Sequence, residues 1–355
     1  LKKKSDLLTS IEFFTIIVGS MMGIKVLTLP RDVSSCAYED SWISMLIASI
    51  YPIYLLILGI HILKKEPNHN ILYLSKKHFG NILGNILNFF FSITLLFYVF
   101  NLLVTVSYIL SNYLSYFLPQ SKIIILIGIV LLYTVLKDFK LISRLNLYNF
   151  FIVILLLLIP ITVFKEGSIL NIQPVFKSNF NSLIRGAYLA LPSYFGFEIF
   201  FLIYPYVNKK EQIKKSSFIA ILFIILCYTW IQFTCLYYLG SDVVNKLNWP
   251  FISITETFIV PLIQDFRSIF IFLWINVILK TASNYYFFGT IVLESILIKF
   301  NRKYICLLIF PIIIFIATSF TNIADINELT YKLEPIFILY NIIYITSISI
   351  VIKKS

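Results

Sequence analysis

Two stretches of the chain place polar and conformationally loose residues inside otherwise apolar sequence. The first is Val18-Gly19-Ser20-Met21-Met22-Gly23-Ile24-Lys25. Glycine weakens a helix by about 1 kcal/mol relative to alanine and lets its backbone open. An opened helix exposes free carbonyls at the end of its first half and free amides at the start of its second. The second stretch is Tyr188-Leu189-Ala190-Leu191-Pro192-Ser193-Tyr194-Phe195-Gly196-Phe197-Glu198. There Pro192 removes an amide donor, Gly196 loosens the backbone and Glu198 adds a carboxylate. The amides suit a carboxylate ligand, and the carbonyls with Glu198 suit an ammonium. Together they outline a pocket for a small zwitterion such as an amino acid, with Met21, Met22, Tyr194, Phe195 and Tyr285 selecting its side chain. A small neutral osmolyte or an inorganic ion fits the same outline. On the glycines alone, a Gly-x-x-x-Gly helix-packing face is an equal reading.

Two further polar clusters follow helical spacing. Tyr98, Asn101, Thr105 and Tyr108 share one face, either as glue between helices or as the wall of a pathway. Lys280, Thr281, Ser283, Asn284 and Tyr285 form the polar middle of a segment that is apolar at both ends. Thr281 and Tyr285 share a face, with Lys280 and Asn284 on the neighbouring stripe. Lys280 sits roughly 13 residues, or about 20 Å, from the nearer end of its helix, too deep to reach water easily. Lys25 has the alternative of snorkelling toward the surface beside Arg31.

These residues need elements that span a bilayer. The chain is 59% hydrophobic and 13% charged, with a mean hydropathy of +0.89, a composition that excludes a soluble domain. A span takes about 20 mostly apolar residues, and by that rule ten follow one another. They lie near 11–30, 42–62, 83–117, 121–136, 146–164, 184–206, 217–239, 268–298, 304–320 and 335–352. The net charge of +12 reads as membrane topology and not as nucleic-acid binding. With the amino terminus in the cytoplasm, the clustered basic residues fall inside: Lys2-Lys3-Lys4, Lys64-Lys65, Lys76-Lys77, Lys137 with Lys140 and Arg144, Lys209-Lys210 with Lys214-Lys215, Lys299 with Arg302-Lys303, and Lys353-Lys354. The outside segments carry scattered single ones, among them Arg31, Lys122, Lys177 and Lys332. Both termini are therefore expected in the cytoplasm.

No cleavable signal peptide is visible. Cys36, Cys227, Cys235 and Cys306 suggest neither a disulfide framework nor a metal site. His61, His69 and His78 fit no ligand motif and read as solvated residues of one loop. The sequence implies no cofactor and no metal, and it holds no nucleophile–base cluster within the spans that would suggest an enzyme.

The two interrupted spans are the first and the sixth, the opening members of two sets of five. An odd-numbered repeat inverts in the membrane, and matched interruptions point to an inverted-repeat transporter and its site. The expected fold is an all-α integral membrane domain over 1–355, with one repeat at about 9–164 and the other at about 183–352.

Gly23-Ile24-Lys25-Val26-Leu27-Thr28-Leu29-Pro30-Arg31, followed by Asp40-Ser41-Trp42-Ile43, resembles the endospore germination permease family. These are the B subunits of spore nutrient-germinant receptors, within the amino acid–polyamine–organocation superfamily. Asn171 to Val175, Gly196-Phe197-Glu198 and Trp249-Pro250 are similar to it as well. The resemblance implies a ten-helix leucine-transporter-like fold in the spore inner membrane, an A subunit and a lipoprotein C subunit as partners, and nutrient sensing. It places Gly23, Thr281 and Tyr285 at ligand-facing positions. Lys25 departs from the family, which often has a small residue there. In the resembled fold a cation commonly sits between spans one and eight, so Lys25 or Lys280 is expected to stand in for it, paired with Glu198 or with the opened carbonyls.

The candidate ligand-binding residues are thus Gly19, Ser20, Met21, Gly23, Tyr98, Asn101, Pro192, Tyr194, Phe195, Gly196, Glu198, Thr281 and Tyr285. The expected function is a germinant-receptor subunit that binds a small nutrient and signals through partners. The alternative is an amino-acid permease of the same fold.

Overall fold

In the computed structural model, which describes residues 7–258 and 266–354, the protein is an assembly of α-helices. They are α1 Ser10–Met21, α2 Lys25–Ala37, α3 Ser41–Ala48, α4 Ile50–Lys65, α5 Ile71–Tyr113, α6 Gln120–Val135, α7 Phe139–Leu158 and α8 Phe180–Ala190, then α9 Phe200–Ile203, α10 Ile213–Leu239, α11 Ser241–Val244, α12 Pro250–Ile254, α13 Phe266–Ile296, α14 Arg302–Ser319 and α15 Ile323–Lys354. Lys2, Lys3 and Lys4 of the topological argument lie outside the described residues.

Among the described residues, seven helical stretches are long and apolar enough to cross a membrane. An eighth joins them if Phe180–Tyr194 and Phe197–Tyr206, bent by 44°, are one broken span. This is an all-helical membrane protein. The count is below the ten read from hydropathy because α1 and α6 are short, with 12 and 16 residues, and because Lys25–Lys65 is one apolar stretch of 41. Within that stretch Tyr38, at φ +46°, ends α2, and α3 packs back against it.

Local chemistry explains several boundaries. Thr9 and Glu12 form a capping box at the start of α1, with Thr9 Oγ1 accepting from the Glu12 amide at 3.2 Å and Glu12 Oε2 accepting from the Thr9 amide at 2.9 Å. Asn70, Asn179 and Asn301 cap α5, α8 and α14 in the same way through their side-chain oxygens. The third span begins at Ile71 and not near 83, and Gly80 at φ +79° bends it where the apolar run begins. The last helix begins at Ile323, twelve residues before the expected 335, and carries Pro335 within it. Its added turns bring Thr330 and Glu334 into the bundle.

α13 occupies the centre, packed along α5 and against α1, α7 and α14. α1 packs between α7 and α10, and α8 lies against α2 and α3. His61 and His78 are half-buried in helices, not solvated in a loop, whereas the His69 side chain keeps 42% of its surface exposed. His69 pairs with Glu66 at 2.9 Å and stacks on Tyr73, while the Nε2 atoms of His61 and His78 are buried. The Lys77 ammonium, hydrogen-bonded to Glu66 at 2.5 Å, holds that carboxyl below the usual carboxylate range.

Arg302 fastens one end of the bundle. Its guanidinium donates to Val135 O at 2.7 Å and Lys137 O at 2.9 Å, and it lies over the Phe287 ring at 4.2 Å. These carbonyls end α6 and have no further turn to accept from. Replacing Arg302 with methionine leaves them unsatisfied, and the expected loss is about 2–4 kcal/mol. Thermal unfolding in detergent micelles measures it, and an unchanged melting temperature would show that the guanidinium is dispensable.

Candidate functional site

α1 stops because the residues after Met21 leave helical geometry: Met22 is extended, with ψ 108°, and regular structure resumes at Lys25. The carbonyls of the last turn therefore face no following amides. In hydrocarbon an unsatisfied carbonyl is costly, so the bundle must supply donors. α13 supplies most of them. Thr281 Oγ1 donates within reach of Gly19 O at 2.9 Å and Met22 O at 2.7 Å. Lys280 Nζ donates to Gly19 O at 2.7 Å, and the Tyr285 hydroxyl donates to Ser20 O at 2.7 Å. Tyr228 of α10 donates to Met21 O at 2.8 Å. Asn284 Nδ2 reaches Ser20 Oγ and Asn146 Oδ1, both at 2.9 Å. Positions 280, 281, 284 and 285 share the face of α13 turned to α1.

The second break has different local causes. α8 passes through a tight turn at Leu191–Tyr194 that contains Pro192, Phe195 is extended, and Gly196 adopts φ +109°. A side chain at Gly196 is excluded twice. The left-handed backbone disfavours it, and an added Cβ would collide with Ser20 O and approach the Tyr285 hydroxyl at 2.9 Å. The two breaks thus touch, and Tyr285 bridges them, its hydroxyl lying 2.7 Å from Ser20 O and 3.3 Å from Phe195 O. Tyr98 stacks on Phe195 at 4.1 Å and lies 5.5 Å from Tyr285, centroid to centroid. These three rings cover the junction.

Glu198 is fully buried and turned to the protein. Its Oε2 accepts the Gly196 amide at 2.7 Å, and its Oε1 accepts the Tyr51 hydroxyl and, at 3.4 Å, Asn341 Nδ2. It staples the broken turn of its own segment. The expected pairing of a lysine with Glu198 does not occur. Lys25 Nζ pairs with Glu334 Oε2 at 3.0 Å, and Lys280 uses the opened carbonyl of Gly19. Glu334 was hidden in the sequence because the last span was started one residue after it. Lys25 is therefore held inside the protein and does not snorkel beside Arg31, which donates to Asn248 Oδ1 at 2.7 Å.

The structure brings Gly19, Ser20, Met21, Gly23, Phe195, Gly196, Tyr98, Thr281, Tyr285 and Lys280 to one junction. Tyr194 points elsewhere, donating to Met45 O at 2.9 Å. Asn101 donates to Thr330 Oγ1 of α15, and Pro192 lines an adjoining cavity of about 620 Å³ beside α2. Tyr51, Asn146, Tyr228, Asn341 and Glu334 take part without having been singled out, and Asn284 joins them from the polar stripe of α13. Tyr51, Asn146, Tyr228 and Asn341 carry the same signal, a polar side chain within an apolar helix, whereas Glu334 lay just outside the span read from hydropathy.

Residues 7–326 match the spore germination protein family. The chain belongs to that family. Spore germination protein GerQB of Bacillus cereus is 24% identical over 341 residues, which cover 94% of this chain and 92% of that protein. Spore germination protein B2 of Bacillus subtilis is 24% identical over 269 residues, 74% of this chain and 71% of its own length. Spore germination protein A2 of the same organism is 24% identical over 293 residues, 79% and 78% of the two chains. The matched region of this spore germination protein runs from the cap of α1 into α15 and includes both breaks.

Gly196 and Gly23 should differ in tolerance. Gly196→Ala forces a strained backbone and displaces Ser20, and it should cost about 1–3 kcal/mol. Gly23→Ala meets only the Thr281 methyl, at 3.2 Å, and should melt close to the wild type. Thermal melts of the two variants check this, and the opposite order would contradict the geometry.

Proposed function

We propose that this protein is the B-type subunit of a spore germinant receptor. In this reading it binds a small nutrient, an amino acid, where the two broken helices meet. It passes the resulting change of shape to an A subunit and a lipoprotein C subunit in the spore inner membrane, with both termini on the core side. The observation that carries the reading is the meeting of the two breaks at the Tyr285 hydroxyl, within a chain of the spore germination protein family. A ligand entering there competes for the Ser20 and Phe195 carbonyls that Tyr285 contacts. Binding is then coupled to the relative position of α1, α13 and the segment after α8.

The fold that goes with this reading has ten spans in two inverted sets of five. α1 with α2 forms the first broken span, Lys25–Lys65 divides at Tyr38, α6 counts as a span, and Phe180–Tyr206 forms the second broken one. Lys280 then acts as an internal cation. Its ammonium rests on Gly19 O between the first span and α13, and it removes the need for an external ion.

Two measurements test this. In spores carrying Thr281→Ala with Tyr285→Phe, loss of two buried hydrogen bonds should shift the amino-acid concentration for half-maximal germination about tenfold. An unchanged dose–response would make this face packing alone. Replacing sodium with choline should leave the wild-type response intact, and a response that requires sodium would remove Lys280 from the proposed role. Uptake of labelled amino acid into proteoliposomes, with no germination defect in spores lacking the gene, would favour the permease reading instead.

A further inference from the structure

The cavity beside α2 adjoins the junction of the broken helices, with Lys25 and Pro192 on its wall. Lys25, Thr28, Asp32 and Cys36 line it from one face of α2, facing Glu334 of α15 and Trp249. Among the described residues, Gly19, Ser20, Gly23, Thr281 and Tyr285 are not part of its wall. Its volume of about 620 Å³ lies within the range of about 300–1,000 Å³ typical of small-molecule sites.

The charges in this cavity are arranged for exchange. Glu334 is 4% exposed, and only one of its oxygens is fully used: Oε2 meets Lys25 at 3.0 Å, whereas Oε1 is buried and makes no hydrogen bond of normal geometry, the equally buried Tyr98 hydroxyl being the donor beside the carboxylate. A buried carboxylate oxygen without a well-placed donor is an unmet demand. Asp32, half-buried on the same wall, adds a second acceptor near Lys25. A ligand with a single charge that separated Lys25 from Glu334 would leave one of them buried and unmatched. A zwitterion leaves neither, because its carboxylate replaces Glu334 on Lys25 and its ammonium replaces Lys25 on Glu334.

We propose that this cavity is a binding site in its own right for a small zwitterion, which inserts between Lys25 and Glu334. It rests on the reading of the protein as a nutrient sensor and adds a second site, distinct from the broken backbone, with selection by paired charge. The ligand's ammonium hydrogen-bonds Glu334 Oε1 and Asp32, its carboxylate takes the Lys25 ammonium, and Trp249 bounds the space left for its side chain.

Cys36 is a built-in reporter, since it lines this cavity while Cys227, Cys235 and Cys306 are buried. The full chain in nanodiscs is labelled with a charged thiol reagent, with Cys36→Ser as the control that removes the signal. The probes are an equimolar mixture of the common L-amino acids other than cysteine, ethylamine and propionate. The amino acids should slow labelling several-fold, and the two single-charge probes should not. A single substitution at Lys25 or Glu334 strands the other charge and endangers folding. The double variant Lys25→Met with Glu334→Gln does not, and it should abolish protection while melting near the wild type. Protection should persist in Thr281→Ala with Tyr285→Phe. The proposal is overturned if no amino acid protects Cys36, if ethylamine or propionate protects equally, if protection survives in the double variant, or if it disappears in the Thr281/Tyr285 variant. Normal amino-acid germination of spores lacking the gene, with protection of Cys36 intact, would sink the receptor reading and leave this site standing.

Discussion

The structure depends on how it satisfies four carbonyls. Gly19, Ser20, Met21 and Met22 end a helix inside the buried bundle, where water cannot hydrogen-bond them. Their donors come from Lys280, Thr281, Tyr285 and Tyr228, on two other helices far away in the chain. α1 can therefore be broken only while α10 and α13 are docked against it. The break and the packing of the bundle are one cooperative arrangement, which is what the proposed sensing of a bound ligand requires.

The same economy governs charge. Charged groups within the bundle are tied down by something on the protein. Lys25 has Glu334, Lys280 has Gly19 O, Arg302 has the end of α6, and Glu12 meets Lys140 at 2.7 Å. Glu198 is held by a tyrosine, an asparagine and the amide of Gly196. It shapes the second break from behind, so the opened backbone itself and the aromatic cover of Tyr98, Phe195 and Tyr285 remain as the surfaces a ligand would meet. The Lys25–Glu334 pair differs from the others, because it borders a cavity large enough to hold a competitor for both of its members.

Both breaks were legible because their causes are local. Gly23, and Pro192 and Gly196, sit at the breaks themselves, whereas Gly19 stays helical and gives Asn146 and Lys280 room to approach. The polar stripe from Lys280 to Tyr285 was legible for a related reason, since its cost in lipid demands an inward face. Partners were not legible. Glu334 was read as part of a loop because Pro335 and a charged lead-in, with Asp325, Glu328 and Lys332, masked three helical turns, and with it went the true partner of Lys25. Tyr51 and Asn341 gave no local sign that they would hold Glu198.

By itself, the sequence determined that the chain lives in a membrane as helices, where two of those helices fail, and which face of α13 must be buried. Hydropathy, glycine, proline and helical spacing act over a few residues and need no knowledge of the rest of the chain. Only the tertiary structure decided which donor meets which carbonyl, that Glu198 turns to Tyr51, and that Lys25 crosses to α15. Those choices depend on contacts between segments separated by as many as 309 residues, as for Lys25 and Glu334. Several acceptors of similar chemistry compete for each donor, and the geometry of packing selects among them.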